Sequence, residues 1–435
     1  MSGLLARLGL HRPELRAWAM YDWANSVFMT TVLQIFPLYF IKVAAVDLPR
    51  NEASARFAWA TAAAIILVGL TGPVLGAMAD VQGNKKTMIA LFLGIGVVAT
   101  AAMYLIQRGD WVLATVLFVI GNVGVTSTLA FYNSLLPHIA RPDEVDQVST
   151  AGFGLGYLGG GILLGLNLVV IQSPERFGLA DKGAAMRLSF LSAAVWWALF
   201  SLPLFLKVSE PARRLEAGEA GRNPLSVALA RLKETIGELR GHRDAVYMLV
   251  GFLIYNDAIN TIIRMATTFG SEAGIPDGSL IAAILMVQFV GVPFAFAFGA
   301  LAARIGAKRA IFLALAVYMV ITLIAFTMRT TGQFFLLAFL VGTVMGGAQA
   351  LSRSLFSTMI PRHKSAEMFG FFGVFDRFGG ALGSSVFGLV LILTGSSRPA
   401  VLILILFFVA GGLLLSRVDV ERGQRAARES EAKAA

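Results

Sequence analysis

Apolar residues run along this chain in blocks of about 20, the length a helix needs to cross the hydrocarbon core of a bilayer. Twelve blocks can be drawn, over residues 17–42, 55–78, 87–107, 111–136, 148–172, 187–208, 244–268, 278–302, 308–329, 333–360, 366–394 and 397–417. Between the sixth and seventh the pattern changes. Residues 209–243 are polar and cationic and carry Pro211 and Pro224. Within them Leu225, Leu229, Leu232, Ile236 and Leu239 recur at helical spacing, which predicts one amphipathic helix on the cytoplasmic surface. The expected organisation is a six-helix bundle over 1–208, a linker over 209–243, and a second six-helix bundle with a charged tail over 244–435. An even number of spans puts both chain ends on one side.

The two halves resemble each other. The stretch GAMADVQGNKK starts at Gly76, between the second and third spans, and GALAARIGAKR starts at Gly299, between the eighth and ninth. NSLLPH at the end of the fourth span matches STMIPR at the end of the tenth, through Pro137 and Pro361. Gly154, Gly160 and Gly161 of the fifth span match Gly373, Gly379 and Gly380 of the eleventh, and Asp22-x-x-Asn25 matches Asp257-x-x-Asn260. Each match is weak alone. Four in chain order indicate a parallel repeat of six-helix halves, a layout of alternating-access transporters.

Composition closes off other classes. The chain is 57% hydrophobic and 14% charged, too apolar for a soluble domain of this length. Its net charge of +10 does not point to nucleic acid, because the basic residues flank apolar blocks. One side of the membrane receives Arg7, Arg12, Arg16, Lys85, Lys86, Arg141, the linker, Arg304, Lys308, Arg309, Arg362, Lys364 and the tail. The other receives Lys42, Arg50, Arg56, Arg108, Arg176, Lys182, Arg187, Arg329 and Arg398. The richer side is expected to be cytoplasmic, with both termini there and the chain in a bacterial inner membrane. No cysteine is present, so disulfides and thiol ligands are excluded. No cleavable signal is evident; the first residues suit a small amphipathic helix on the membrane surface, and the charged C-terminal tail reads as disordered.

With these residues in view, the chain resembles the major facilitator superfamily, whose G-x-x-x-D-x-x-G-[RK]-[RK] loop signature is matched by Gly76, Asp80, Gly83, Lys85 and Lys86. The second copy departs from it, with Ala303 in place of the aspartate. More specifically the chain is similar to the autophagy-related vacuolar amino-acid effluxer family and its bacterial relatives, through YDWANSVF (21–28), GFGLGYLGG (152–160), QALSRSLFSTMIP (349–361) and AEMFGFF (366–372). The resemblance implies twelve transmembrane helices in two pseudo-symmetric bundles, a cavity lined by the first, fourth, seventh and tenth helices, and, from yeast-type members, release of amino acids from the vacuole. It also implies that Asp80 engages the opposite half and steadies a closed cytoplasmic face.

Polar residues inside spans are the candidates for chemistry. Asp22 and Arg353 each lie roughly 8–10 Å from the cytoplasmic boundary, which suggests a gate pair. Asp257, Asp376 and Arg377 lie nearer the midplane. Asp22, Asn25 and Ser26 share one helix face, as do Asp257, Asn260 and Arg264. The expected substrate site comprises Asp257, Asn260, Arg377 and Asn25, where Arg377 could hold a carboxylate through two parallel hydrogen bonds. Gate or coupling roles fall to Asp22, Arg353, Gly76, Asp80, Gly83, Lys85 and Lys86. Arg264 reads as an arginine reaching towards the outer boundary. The G-x-G-x-x-G at Gly154, Gly156 and Gly159 has no preceding strand, so it reads as helix packing, not a dinucleotide site. The four histidines fall at cytoplasmic ends, and no catalytic triad, metal cluster or phosphate loop appears.

The reading is therefore a monomeric, non-enzymatic membrane transporter with a small-molecule substrate and no cofactor or nucleic-acid partner. Efflux of amino acids or related small metabolites comes first, with proton coupling and uniport both compatible. One alternative is export or flipping of an amphipathic compound or lipid, which aromatic side chains such as Trp18, Trp23 and Phe28 would suit. The other is a non-transporting sensor or scaffold.

Overall fold

The computed structural model describes residues 2–213, 221–238 and 242–433; Arg214, Leu239 and Arg240 of the linker lie outside them, as do the side chains of Ile236 and Arg377. Every predicted block becomes a helix, generally longer than its apolar part. In chain order these are α1 (Pro13–Ala44), α2 (Arg50–Gln82), α3 (Lys85–Ala102), α4 (Trp111–Ile139), α5 (Val145–Gln172) and α6 (Lys182–Lys207). The second half follows with α7 (Arg243–Glu272), α8 (Asp277–Ile305), α9 (Ala307–Thr327), α10 (Thr331–Thr358), α11 (Ser365–Thr394) and α12 (Ser397–Ser416). Among the described residues eleven of them are long and apolar enough to cross a membrane, and α11, at 30 residues, is the twelfth of the set. The chain is an integral membrane protein.

Local chemistry sets the helix ends. Asp181 caps α6 by accepting the Ala184 N–H at 2.7 Å, and Thr330 and Gln333 form a reciprocal capping box at the start of α10. Gly83 ends α2 with φ +65°, a left-handed turn that a side chain would strain. The first helix is irregular: Pro37 has no N–H to give, and π-helical turns at Phe28–Val32 and Phe40–Ala44 flank it.

Each half has its own core. In the first, Phe36 stacks on Phe118 with ring centroids 4.8 Å apart, and Trp197 is fully buried beside Phe28. In the second, Tyr318 stacks on Phe408 at 5.3 Å within a cluster running from Ala245 to Val418. The halves meet along α2–α11 and along α5 with α8 and α10. Small residues permit the approach. A Cβ on Gly370 would stand 2.8 Å from the Gly72 carbonyl oxygen, and one on Gly76 would stand 2.7 Å from the Ala366 carbonyl carbon and 2.9 Å from Glu367 Cα. These contacts lie at the end of the bundle that carries both chain termini, here called the terminal end. The opposite end is called the distal end.

One expectation fails here. The tail is not disordered: Val420–Lys433 is a helix docked on α7 and α10, where Arg422 binds Asp244 through Nε at 2.6 Å and Nη2 at 2.8 Å and the Arg362 N–H reaches Glu431 at 2.8 Å. Charge density alone suggested disorder, but these charges have partners on the bundle. The linker helix does form, over Pro224–Glu238, yet it turns Val227, Ala228, Arg231 and Thr235 inward against α2. Leu225 and Leu229 are 46% and 48% exposed; for a helix beside a membrane, the bilayer is a second apolar phase that can take such a stripe.

The α2–α11 crossing gives a first prediction. Gly76→Val places a branched side chain against backbone atoms that cannot rotate away, so the terminal ends of α2 and α11 must separate. Spin labels on cysteines introduced at Asp143 and Arg362, both exposed, in a chain with no native cysteine, should show a distance distribution broadened towards longer values. A distribution identical to that of the parent would contradict the steric argument.

Candidate functional site

A cavity of about 800 Å³ lies between the halves. Its polar lining includes Asp22, Asn25, Ser26, Asn122 and Asn133 from the first half and Asn260, Arg264, Gln288, Gln349, Arg353 and Asp376 from the second. Much of the remaining wall is phenylalanine, from Phe57, Phe118 and Phe153 on one side to Phe252, Phe269, Phe334, Phe372 and Phe387 on the other.

The cavity ends at Arg353. Its Nη1 and Nη2 each donate to Asp22 Oδ2 at 3.1 Å. Nη1 also reaches Asn133 Oδ1 at 3.2 Å, Nε donates to Ser149 Oγ at 2.9 Å, and Nη2 donates to the Ser149 carbonyl at 2.8 Å. The guanidinium lies 4.5 Å from the Phe153 ring centroid and 4.9 Å from that of Trp18, faces that favour a cation. Arg353 is 3% and Asp22 7% exposed. One residue of α10 thus ties together α1, α4 and α5 of the other half. Glycine makes room for it: a Cβ on Gly152 would stand 3.1 Å from Arg353 Nη2 and collide with the Asp22 carboxylate. Gly156, Gly159 and Gly160 continue that face of α5 against Ser26, Trp23 and Thr30 of α1, so the glycine motif serves helix packing.

Three further contacts seal the terminal end. Asp80 Oδ2 accepts the Glu367 N–H at 2.9 Å, across the halves, while Oδ1 pairs with Lys85 at 2.9 Å. Lys85 also donates to Ser365 Oγ at 2.6 Å and lies 3.0 Å from His138 Nε2. Ser354 donates to Asp146 Oδ1 at 2.5 Å. Asp80 is therefore not a loop residue: it lies on the last turn of α2, 6% exposed, because the helix runs beyond the apolar block to Gly83. Lys86 does a different job, donating to the carbonyls of Phe205 and Val208 at 2.9 and 2.5 Å at the end of α6. Its N–H meets Glu210 at 2.9 Å, whose carboxyl is pushed above the usual range by burial.

The second half holds its own polar network. Asn256 Nδ2 donates to Asp376 Oδ1 at 2.7 Å, and Gln349 Nε2 donates to Asn256 Oδ1 at 3.0 Å. Sequence reasoning placed Asp376 at this depth but missed Asn256 and Gln349; amides inside apolar blocks were the available signal.

Several candidates land elsewhere. Asp257 does not line the cavity. It is 1% exposed and faces α11, where Oδ2 accepts the Gly383 N–H at 2.5 Å, while Asn260 and Arg264 on the same helix do reach the cavity. Helical spacing gives a shared side of about 60° width, and that side straddles the boundary between cavity and α11. Arg264 faces this space instead of lipid. The side chain of Arg377 lies outside the described residues. Trp18 and Phe28 are buried in the first half, and Trp23 stacks on Trp196 at 5.4 Å; none of the three lines the cavity. Among the described residues no group of three His, Asp or Glu could hold a metal ion.

A family model described as vacuole effluxer Atg22 like matches residues 43–428. The chain belongs to that family. Among its relatives is the uncharacterized major-facilitator-type transporter YxiO of Bacillus subtilis, 32% identical over 93% of this chain and 94% of that protein. Another is autophagy-related protein 22 of Eremothecium gossypii, 25% identical over 79% of this chain and 73% of that one. Among solved structures, the human organic anion transporter MFSD10 superimposes with a TM-score of 0.70 at 14% identity, covering 93% of this chain and 99% of that one. The proton:xylose symporter XylE gives 0.70 at 14% identity, covering 99% of each. These place the chain among major facilitator transporters with two six-helix bundles.

Removing one partner of a buried ion pair leaves the other charge uncompensated, at about 3–5 kcal/mol. Arg353→Ala should therefore lower the thermal unfolding midpoint of purified protein strongly, while the double variant Asp22→Ala/Arg353→Ala should recover part of the loss. Additive losses would show that the two side chains are not energetically coupled.

Proposed function

We propose that this protein is a transporter of amino acids or related small metabolites working by alternating access, with no enzymatic activity, and that the structure is its outward-open form. The observation that carries the proposal is the cavity between the halves, whose lining runs to the distal parts of α2, α7 and α10 at Phe57, Phe269 and Phe334 and includes the Asp22–Arg353 pair on the terminal side. The basic residues favour a cytoplasmic terminal end: Lys85, Lys86, Arg141, Arg304, Lys308, Arg309, Arg362 and Lys364 all lie there. In this reading Asp22, Arg353, Asp80 and Lys85 form the inner gate. They must separate for the cavity to open inward, while Gly76 and Gly83 set the close approach and the turn that hold Asp80 in place.

Recognition of an amino acid needs an anion for the amine and cations or amides for the carboxylate. Asp376 supplies the first, oriented by Asn256. Arg264, with Asn25 and Asn260 in the same lining, supplies the second. The family's description as a vacuole effluxer supports movement of a solute across the membrane; release from a vacuole runs towards the cytoplasm, the direction taken by a solute that enters from the face opposite the termini. The phenylalanine wall and a volume well above that of one amino acid favour a second reading, export of an amphipathic compound.

Proteoliposomes holding the purified protein separate the two. Counterflow of a radiolabelled amino-acid mixture should exceed that of protein-free vesicles, and Asp376→Asn should lower it roughly tenfold, the scale of one lost charge-assisted hydrogen bond. Movement of a fluorescent amphipathic cation, with no amino-acid counterflow, would select the second reading. Neither activity would refute transport of these classes.

A further inference from the structure

Asp257 lies deep inside α7, and its carboxylate has neither an ion-pair partner nor a place in the cavity. Its counterpart in the repeat, Asp22, is held by Arg353. In the register set by Pro137 and Pro361, the residue of α4 that matches Arg353 is Leu129, so the second aspartate has no equivalent arginine. Its one hydrogen-bond donor is a backbone amide. Oδ2 takes the Gly383 N–H, but Oδ1 is buried with no hydrogen-bond partner, and so are Thr261 Oγ1 one turn along α7 and Ser384 Oγ beside Gly383. Thr261 is completely buried. Gly383 is what lets α11 reach this spot: a Cβ there would stand 2.5 Å from Thr261 Oγ1 and 3.0 Å from Asp257 Oδ2.

An ionised carboxylate with one amide donor and no cation is costly at this depth. A neutral carboxyl fits better, because Oδ1 has no donor to hold a charge and the uncharged form costs less in an apolar surrounding. No described charged group on the packed elements forms an ion pair with Asp257. Arg264 lies two turns distal on α7 and opens to the cavity. On α11, Asp376 is bonded to Asn256, and Arg377 has its side chain outside the described residues. The charge of α10, Arg353, is committed to Asp22, and α12 has no charged residue between Arg398 and Arg417.

We propose that Asp257, held by the Gly383 amide with Thr261 next to it, is a proton-binding site at the α7–α11 contact, loaded in the outward-open form and separate from the substrate cavity. It rests on the transporter reading for its use, since a proton held here can be exchanged only if α7 and α11 part during the cycle. Asn260, one turn distal, lines the cavity, so the proton's way in from the distal side is short. The assignment makes Asp257 a coupling residue, not a ligand for a substrate amine.

Infrared pH-difference spectra of the purified protein test this without any substrate, so the outcome is independent of whether transport is found. Wild type should show a protonated-carboxyl C=O band that persists at neutral pH and disappears on alkalinisation. Asp257→Asn should lack that component, Asp257→Glu should restore a titrating band, and Glu367→Gln, which removes a different buried carboxyl, should keep it. Thr261→Val, which preserves shape, should move the band's frequency and its titration midpoint. If Asp257→Asn leaves the spectra unchanged while Asp257→Glu and Thr261→Val also match wild type, the site does not hold a proton. Loss of the band on adding sodium chloride at constant pH would overturn the proposal in favour of a sodium ion among the same oxygens.

Discussion

A guanidinium that never deprotonates must be satisfied wherever the fold puts it. Arg353 sits well inside an apolar block, so almost every feature of the terminal end answers its needs. Asp22 neutralises it, Asn133 and Ser149 take its remaining donors, Trp18 and Phe153 cover its faces, and Gly152 leaves the space in which arginine and aspartate meet. Those partners come from three helices of the opposite half. The ion pair therefore does more than hold two side chains together: it bridges the two bundles at the terminal side of the cavity.

The α2–α11 seam reinforces that closure by a different physics. Here the helices touch through glycine, and Asp80 accepts the amide at the start of α11, where an anion is favoured by the unpaired N–H groups of a helix N-terminus. The second half has no aspartate at the matching position, since Ala303 stands there. The corresponding contact is α5 against α8, where Gly299 lies against Thr150, and the neighbouring α5–α10 contact is bridged by Ser354 and Asp146. The pseudo-symmetric halves thus use unlike chemistry at like places, which lets one seam be tuned without the other. Asp22 and Asp257 show the same divergence: one aspartate is given an arginine, the other a backbone amide.

Much of this was legible in the sequence. Apolar block length and the basic-residue pattern gave the helices and the shared end of the termini, and depth counting put Asp22 opposite Arg353. Depth is a one-dimensional quantity, however, and it carried no information on direction. Asp257 was placed correctly along its helix but assigned to the cavity when it faces α11. Trp18 and Phe28 read as cavity aromatics when each is core to its own half. The tail looked disordered because its charges were counted without the partners, Asp244 among them, that the fold brings to it. The leucine stripe of the linker was real, but periodicity alone could not say which face meets protein and which meets lipid.

One-sided access is the central claim, and cysteine labelling measures it directly in a chain with no cysteine of its own. Asn260→Cys places a thiol on the cavity wall. A membrane-impermeant maleimide should label it in right-side-out vesicles, from the face opposite the termini, and leave it unlabelled in inverted ones. Equal labelling from both faces, or labelling from the terminal face alone, would contradict the account.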